Sequence, residues 1–127
     1  MKSFLLSTLF LMFTQLVFSQ DFGAISDALE QGNASQISQL FDNSIEFAEG
    51  DELEVMERTD AEKRLRGFFL SNQPEKFEII HKGKSDKGIH YMIGNLITST
   101  HSYRMTIYMA EKMDEFYIRS LEIDKTE

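Results

Sequence analysis

The apolar residues from Phe22 onward recur first at the spacing of helices. One set stops at Gly32, a residue typical of helix C-termini. Asn33 can cap a second, short helix, and the Asp42-Asn43 pair after it is typical of a turn. The apolar positions are Phe22, Ile25 and Leu29 in the first helix and Ile37, Leu40 and Phe41 in the second. The pattern therefore predicts a compact pair of helices.

From Ser44 the apolar positions alternate with polar ones, as they do in a strand. The turn sequence Glu49-Gly50-Asp51 then predicts a hairpin whose second strand contains Leu53 and Val55. The surrounding stretch, residues 42–57, has seven acidic residues and no basic one. The alternating Asp ligands of a calcium loop are missing from it, so we interpret the acidic residues as the solvated surface of the hairpin.

A longer helix is predicted after the hairpin. Thr59 and Glu62 have the spacing of a capping box, in which each side chain accepts a hydrogen bond from a free backbone N–H at the helix start. The predicted helix runs from Thr59 to Asn72 and ends before Pro74. Its apolar stripe comprises Ala61, Leu65, Phe68 and Phe69. Such a stripe indicates a helix that packs on the core.

The chain after Pro74 predicts four antiparallel strands, separated by turns at 85–88, 99–100 and 113–114. Because side chains alternate and directly paired residues share a side, each residue can be assigned to a face of the sheet. The predicted inner, core face collects Phe77, Ile79, His81, His90, Met92, Gly94, Leu96, Tyr103, Met105, Ile107, Met109, Phe116 and Ile118. The predicted outer face collects Ile80, Tyr91, Ile93, Asn95, Arg104, Thr106, Tyr108, Tyr117, Arg119 and Leu121.

These elements predict an α+β fold, in which a curved antiparallel sheet of four to six strands wraps around N-terminal helices and one longer central helix. The chain resembles the superfamily named after nuclear transport factor two, also called cystatin-like. Within it, the chain is similar to an uncharacterised bacterial domain-of-unknown-function family of small exported proteins. The resemblance covers roughly residues 22–124 and is carried by Phe68-Phe69, His90-Tyr91-Met92-Ile93-Gly94, Tyr103-Arg104-Met105, Phe116-Tyr117-Ile118-Arg119 and Leu121-Glu122-Ile123.

The resemblance implies a cone-shaped cavity between sheet and helices. Across the superfamily such a cavity takes small apolar ligands, performs isomerase or dehydratase chemistry, or is filled by side chains. The residues that would line it here are His81, His90, Met92, Met105 and Phe69. The bulky aromatic and Met side chains favour a filled cavity. The resemblance carries over no established functional residues.

His81 and His90 are the polar candidates of this cavity. With Ser85-Asp86 at the centre of the turn they lie directly across from each other, and a longer turn that uses Gly88 shifts the register but leaves both on the inner face. Two such imidazoles could shuttle a proton, which defines an alternative function as a small-molecule carrier or an isomerase- or dehydratase-like enzyme. Neither histidine has an identified carboxylate partner, so we favour a structural role for the pair. The spacing of His-x₃-His or paired Cys ligands is missing, and we predict no metal and no cofactor.

The outer face is too apolar for a purely solvated surface. We predict an interface there formed by Tyr91, Arg104, Tyr108, Tyr117 and Arg119, because aromatic residues and Arg are enriched at interfaces. The favoured function is an exported, non-catalytic binding or protein-interaction module. Its expected partner is another protein or a second copy of the chain, and a small apolar ligand belongs to the alternative.

Composition narrows the choice of partner. The chain has no cysteine, so disulfides cannot hold it together. Residues 20–127 carry 12 basic and 21 acidic residues, a net charge of −9. This balance argues against nucleic acids and anionic membrane surfaces, which require a concentrated basic surface. The sequence also lacks a Gly-x-Ser-x-Gly elbow and a glycine-rich phosphate loop.

The first nineteen residues predict export. Lys2 precedes an apolar run from Phe4 to Met12, which is the layout of a cleavable signal. The run is shorter than the roughly 20 apolar residues needed to cross a bilayer. We place the cut between Ser19 and Gln20, so that residues 20–127 form a single periplasmic or secreted domain without stable membrane insertion.

We expect the exported protein to begin at Gln20. Intact-mass measurement of the protein recovered from its producing cell tests this expectation. Recovery in a membrane fraction of a chain that still carries Met1 through Ser19 would contradict it.

Overall fold

A computed structural model describes residues 20–126, and within this range it contains three helices and six strands. The helices are α1 (Gln20–Gln31), α2 (Ala34–Ser38) and α3 (Arg58–Ser71). The strands are β1 (Phe41–Glu49), β2 (Glu52–Glu57), β3 (Pro74–Lys84), β4 (His90–Thr98), β5 (Ser102–Lys112) and β6 (Glu115–Lys125). The predicted signal, residues 1–19, lies outside the described residues. The described helices include none that is long and apolar enough to cross a membrane.

All six strands form one sheet in the order β2-β1-β6-β5-β4-β3. The predicted N-terminal hairpin and the four later strands are confirmed, but the prediction of a purely antiparallel sheet is wrong. β1 pairs in parallel with β6, and every other neighbouring pair is antiparallel. The pattern of each strand alone could not reveal this pairing, because β1 and β6 lie at opposite ends of the domain.

The core lies between the helices and the inner face of the sheet. α1 packs against β3 and β4, and α3 packs against α2, β1 and β2. The largest fully buried side chains are Phe41, Phe47, Ile25, Leu29, Ile37, Ile45, Leu65, Met92, Leu96, Met105, Ile107 and Met109. α3 contributes the predicted stripe of Ala61, Leu65, Phe68 and Phe69, all buried. Burial of these apolar groups is the main stabilising contribution to the fold.

Two local predictions are wrong. The capping box does not form, because α3 begins at Arg58 and its N-cap residue, Glu57, makes no side-chain hydrogen bond to the helix. Glu57 is also the last residue of β2, so pairing with β1 sets the helix start. The predicted turn at Asp42-Asn43 lies inside β1, where the Asp42 carboxylate accepts a hydrogen bond from the Asn43 N–H at 2.7 Å.

Two residues lie on the face opposite to the predicted one, and in both cases a β-bulge is the cause. The register of β3 shifts between Ile79 and His81, which places His81 beside Ile93 on the outer face. The register between β5 and β6 also shifts, and Leu121 is fully buried on the inner face. A bulge inserts one unpaired residue, so it reverses the faces of all side chains that follow it.

The helix packing predicts a contrast between two substitutions on α3. Phe69→Ala should lower the free energy of unfolding by about 3–5 kcal/mol, because the ring is buried in the core. Thr59→Ala should change it by no more than about 0.5 kcal/mol, since Thr59 is exposed and caps nothing. Denaturant titration of both variants measures the difference. A loss of similar size in the two variants would contradict this account of the helix.

Candidate functional site

Four of the five predicted inner-cavity residues, all except His81, lie in the packed core or at its margin. Met92 and Met105 are fully buried, and Phe69 is only 6% exposed. The Phe69 ring meets the ring of Phe68 edge-on, with centroids 5.9 Å apart. His90 is half-buried and makes an edge contact to the Phe116 ring, with centroids 4.7 Å apart. Met92, Met105 and Phe69 belong to the core between the sheet and the helices, and His90 lies at its margin.

The two predicted proton-transfer histidines do not meet. His81 lies on the outer face, where its Nε2 is 3.0 Å from the Tyr91 hydroxyl oxygen. His90 pairs with Lys84 on one side and Met109 on the other, and belongs to the inner face. The prediction that His81 and His90 face each other is therefore wrong. The β3 bulge separates them by turning His81 outward.

On the outer face, His81 begins a strip of three rings that crosses β3, β4 and β5. We call this set, His81, Tyr91 and Tyr108, the aromatic strip. Tyr91 and Tyr108 are directly opposite each other, with ring centroids 6.4 Å apart. The Tyr91 ring lies across Gly83, and a Cβ at that position would come within 2.3 Å of the Tyr91 hydroxyl. Gly83 thus makes room for the ring at the sheet edge, a role that the sequence pattern did not identify.

A groove of about 490 Å³ opens beside Tyr108 on the same face. We call it the outer groove. Its lining residues are Asp42, Ser44, Ile45, Glu46, Val55, Ile89, Tyr108, Arg119, Ser120 and Glu122. Both strands at its floor are irregular, since β1 shifts register against β6 and β6 shifts against β5. A volume of this size lies within the usual range of small-molecule sites.

One line of paired residues connects the outer groove to the aromatic strip. In order across the sheet, it consists of Val55, Glu46, Ser120, Tyr108 and Tyr91. Of these, only the two tyrosines were predicted from the sequence as residues of a candidate site. The others were missed because their proximity depends on the parallel pairing of β1 with β6.

The outer groove has an acidic lining with one cationic group. Asp42, Glu46 and Glu122 contribute carboxylates and Arg119 contributes the guanidinium. Asp42 lies 3.5 Å from the Lys112 ammonium, whereas Arg119 forms no ion pair within the part of the chain that the structure describes. Among the described residues, no three His, Cys, Asp or Glu side chains are grouped so as to hold a metal ion.

The remaining predicted interface residues lie farther along the outer face. Arg104 is exposed and sits opposite Asn95 and Asp124. Tyr117 is opposite Ala110, and its hydroxyl donates a hydrogen bond to Glu115 at 2.7 Å. The predicted interface set therefore shares one face, but only Tyr108 and Arg119 line the outer groove.

Comparison with known proteins identifies the family. Residues 22–124 match the model described as Domain of unknown function (DUF4783), and the chain belongs to this family. The crystal structure of a DUF4783 protein from Bacteroides fragilis YCH46 superposes with a TM-score of 0.78 at 26% identity, covering 81% of this chain and 96% of that chain. Its counterpart from Bacteroides uniformis ATCC 8492 also gives 0.78, at 21% identity, covering 83% and 96%.

The fold extends beyond this family. A domain of unknown function with a cystatin-like fold from Nostoc punctiforme superposes with a TM-score of 0.64 at 12% identity, covering 84% of this chain and 73% of that chain. The predicted likeness to the nuclear transport factor two-like, cystatin-like fold is confirmed, with an open curved sheet of six strands. No curated protein matches the chain.

The position of Tyr108 changes its acidity. Partial burial raises the pKa of the Tyr108 hydroxyl above its ordinary value, and the Glu122 carboxylate and Tyr91 raise it further. Both causes disfavour the phenolate, because one removes water and the other places negative charge nearby. Tyr108 therefore stays a neutral hydrogen-bond donor at physiological pH.

Glu122→Gln should lower the pKa of Tyr108 while leaving it above the ordinary value, since burial is the larger cause. The pKa of Tyr108 is higher in the folded state than in the unfolded state. The contribution of this hydroxyl to the free energy of unfolding is therefore fully present below about pH 10, and it is lost as pH rises through the folded-state pKa. Titration of the Tyr108 ring by NMR measures its pKa in the unmodified protein and in the Glu122→Gln variant. Glu115→Gln is the control, because Glu115 acts on Tyr117 and not on Tyr108. An unchanged Tyr108 pKa in Glu122→Gln would contradict the arrangement.

Proposed function

We propose that the protein is a non-catalytic binding module that engages a protein partner through the outer face of its sheet. The observation that carries the proposal is the contrast between the two faces. The inner face is occupied by core side chains such as Met92 and Met105, whereas the outer face presents the aromatic strip beside an open groove.

The composition of the outer face is that of an interface. Tyr108 and Arg119 line the groove, and tyrosine and arginine are among the residues that most often anchor protein complexes. Two apolar side chains of β2 continue the surface, since Leu53 is 62% exposed and Val55 69% exposed. Exposed apolar groups on the same face as aromatic rings favour a protein partner. The apolar leader of the chain supports export, so the expected partner resides in the periplasm or outside the cell.

A second copy of the chain is one form that this partner can take. The same face would then meet itself about a two-fold axis, as in most homodimers. The alternative function, a carrier or enzyme acting through an inner cavity, drew on His81 and His90 as a pair. Their separation on opposite faces removes that support.

Tyr108→Glu should abolish association of the protein with its partner. A carboxylate at this position adds negative charge beside Glu122 and removes an aromatic anchor, a change that typically weakens binding by at least about 2 kcal/mol. Sedimentation velocity measures self-association, and crosslinking in the producing cell followed by mass spectrometry detects a different partner.

His101→Glu is the matched control, because His101 is exposed in the turn between β4 and β5 and lies outside the outer groove. It should leave association unchanged. A protein that stays monomeric at all concentrations and yields no crosslinked partner would contradict the proposal.

A further inference from the structure

The two edges of the sheet differ in their protection against pairing with another strand. The β3 edge begins at Pro74 and shifts its register twice. It also carries lysines at Lys76, Lys82 and Lys84. Proline, bulges and lysines are the devices by which proteins keep an edge strand from pairing with other chains.

The β2 edge lacks proline, bulges and lysines, and its charged side chains are all glutamates, which oppose pairing with other acidic strands. Its residues, Glu52–Glu57, contain no Pro and no Lys, and they pair with β1 without a register shift. Two apolar side chains, Leu53 and Val55, are largely exposed on it. A regular edge with exposed apolar groups is suited to accept an additional strand.

The turn geometry orients the free backbone groups of this edge. Glu49 pairs with Glu52 across the two-residue turn, and the pair that closes such a turn is hydrogen-bonded. Since hydrogen-bonded and non-hydrogen-bonded pairs alternate, the N–H and C=O groups of Leu53 and Val55 are directed away from β1. These groups are available to pair with an extended peptide.

The charge of the β2 edge indicates which kind of peptide it would bind. β2 carries Glu52, Glu54 and Glu57, and Asp51 precedes it. Only Glu52 has an ion-pair partner in the part of the chain that the structure describes, Arg64 at 3.7 Å. Two β2 edges would therefore repel each other, and the β3 edge of a second copy is obstructed by its proline and bulges. A basic extended segment of a different protein would complement the negative charge of the edge and pair with its free backbone N–H and C=O groups.

We propose that β2 is a docking edge that takes an extended basic segment of a partner protein as a seventh strand. Alternate residues of that segment would be apolar and cover Leu53 and Val55 on the outer face. The basic residues on the other side of the segment would face Glu54 and Asp60 in a shallow groove beside α3, which Lys63 and Arg64 also line. Glu57, on the same side of β2 as Leu53 and Val55, would add to the negative charge of the edge. The proposal rests on the proposed function and specifies its partner, because Val55 also lines the outer groove.

A synthetic peptide that alternates lysine with valine, blocked at both ends, is the probe. Two control peptides keep the same composition. One groups the lysines apart from the valines, and the other carries N-methyl groups on the backbone amides that would face β2. Fluorescence anisotropy should give a Kd for the alternating peptide that is lower than that of either control by about tenfold or more. Amide exchange should slow at Leu53 and Val55.

The protein variant for this test is Glu54→Lys combined with Glu57→Lys. It should weaken binding of the alternating peptide by about tenfold or more, because it reverses the charge of the edge. The matched control is Glu75→Lys combined with Asp86→Lys, which changes the net charge equally at exposed positions away from β2. The control should bind within about twofold of the unmodified protein. Circular dichroism verifies folding, and the N-methylated peptide tests the edge without any protein variant.

Equal affinity for the alternating and N-methylated peptides would overturn the proposal, because it would show attraction by charge alone. Slowed exchange confined to β5 or β6 would overturn it as well. Suppose that partner association is lost in Tyr108→Glu but retained in the Glu54→Lys, Glu57→Lys protein. The proposed function would then stand, and docking at the β2 edge would be wrong.

Discussion

The parallel pairing of β1 with β6 is the interaction on which the rest of the structure depends. It joins the N-terminal hairpin to the last strand of the chain and completes the six-stranded sheet. Backbone hydrogen bonds secure both ends of the pairing, from the Ile118 N–H to the Leu40 carbonyl at 2.7 Å and from the Gly50 N–H to the Ile123 carbonyl at 3.0 Å. Among the other described elements outside the hairpin, its main contacts are with α3.

Because of the same pairing, one face of β1 packs in the core and the other lines the outer groove. Ile45 and Phe47 point inward and are buried in the core, while Glu46 points outward and lines the outer groove opposite Ser120. A packed interior is intolerant of change, since altered volume creates cavities or strain. The outer face can vary without that penalty, which suits a surface whose role is to bind a partner.

Two bulges determine which side chains lie on the outer face near the aromatic strip and the outer groove. The bulge in β3 brings His81 beside Tyr91, and the irregularity between β5 and β6 sets Arg119 at the groove while Leu121 enters the core. Alternation along each strand predicted the tyrosines correctly, because they lie before or between the irregularities. It failed at His81 and Leu121, since the effect of a bulge is to reverse alternation from that point on.

The sequence by itself determined the α+β class, the hairpin, the α3 core stripe and the order of the later strands, because these follow from local periodicity and turn residues. It also singled out Tyr91 and Tyr108 as outward-facing rings. Only the tertiary structure decided the partner of β1, the packing of the inner face and the outer groove formed with Val55 and Glu46. Those features arise from contacts between residues far apart in the chain, and such contacts leave no periodic pattern in any single segment.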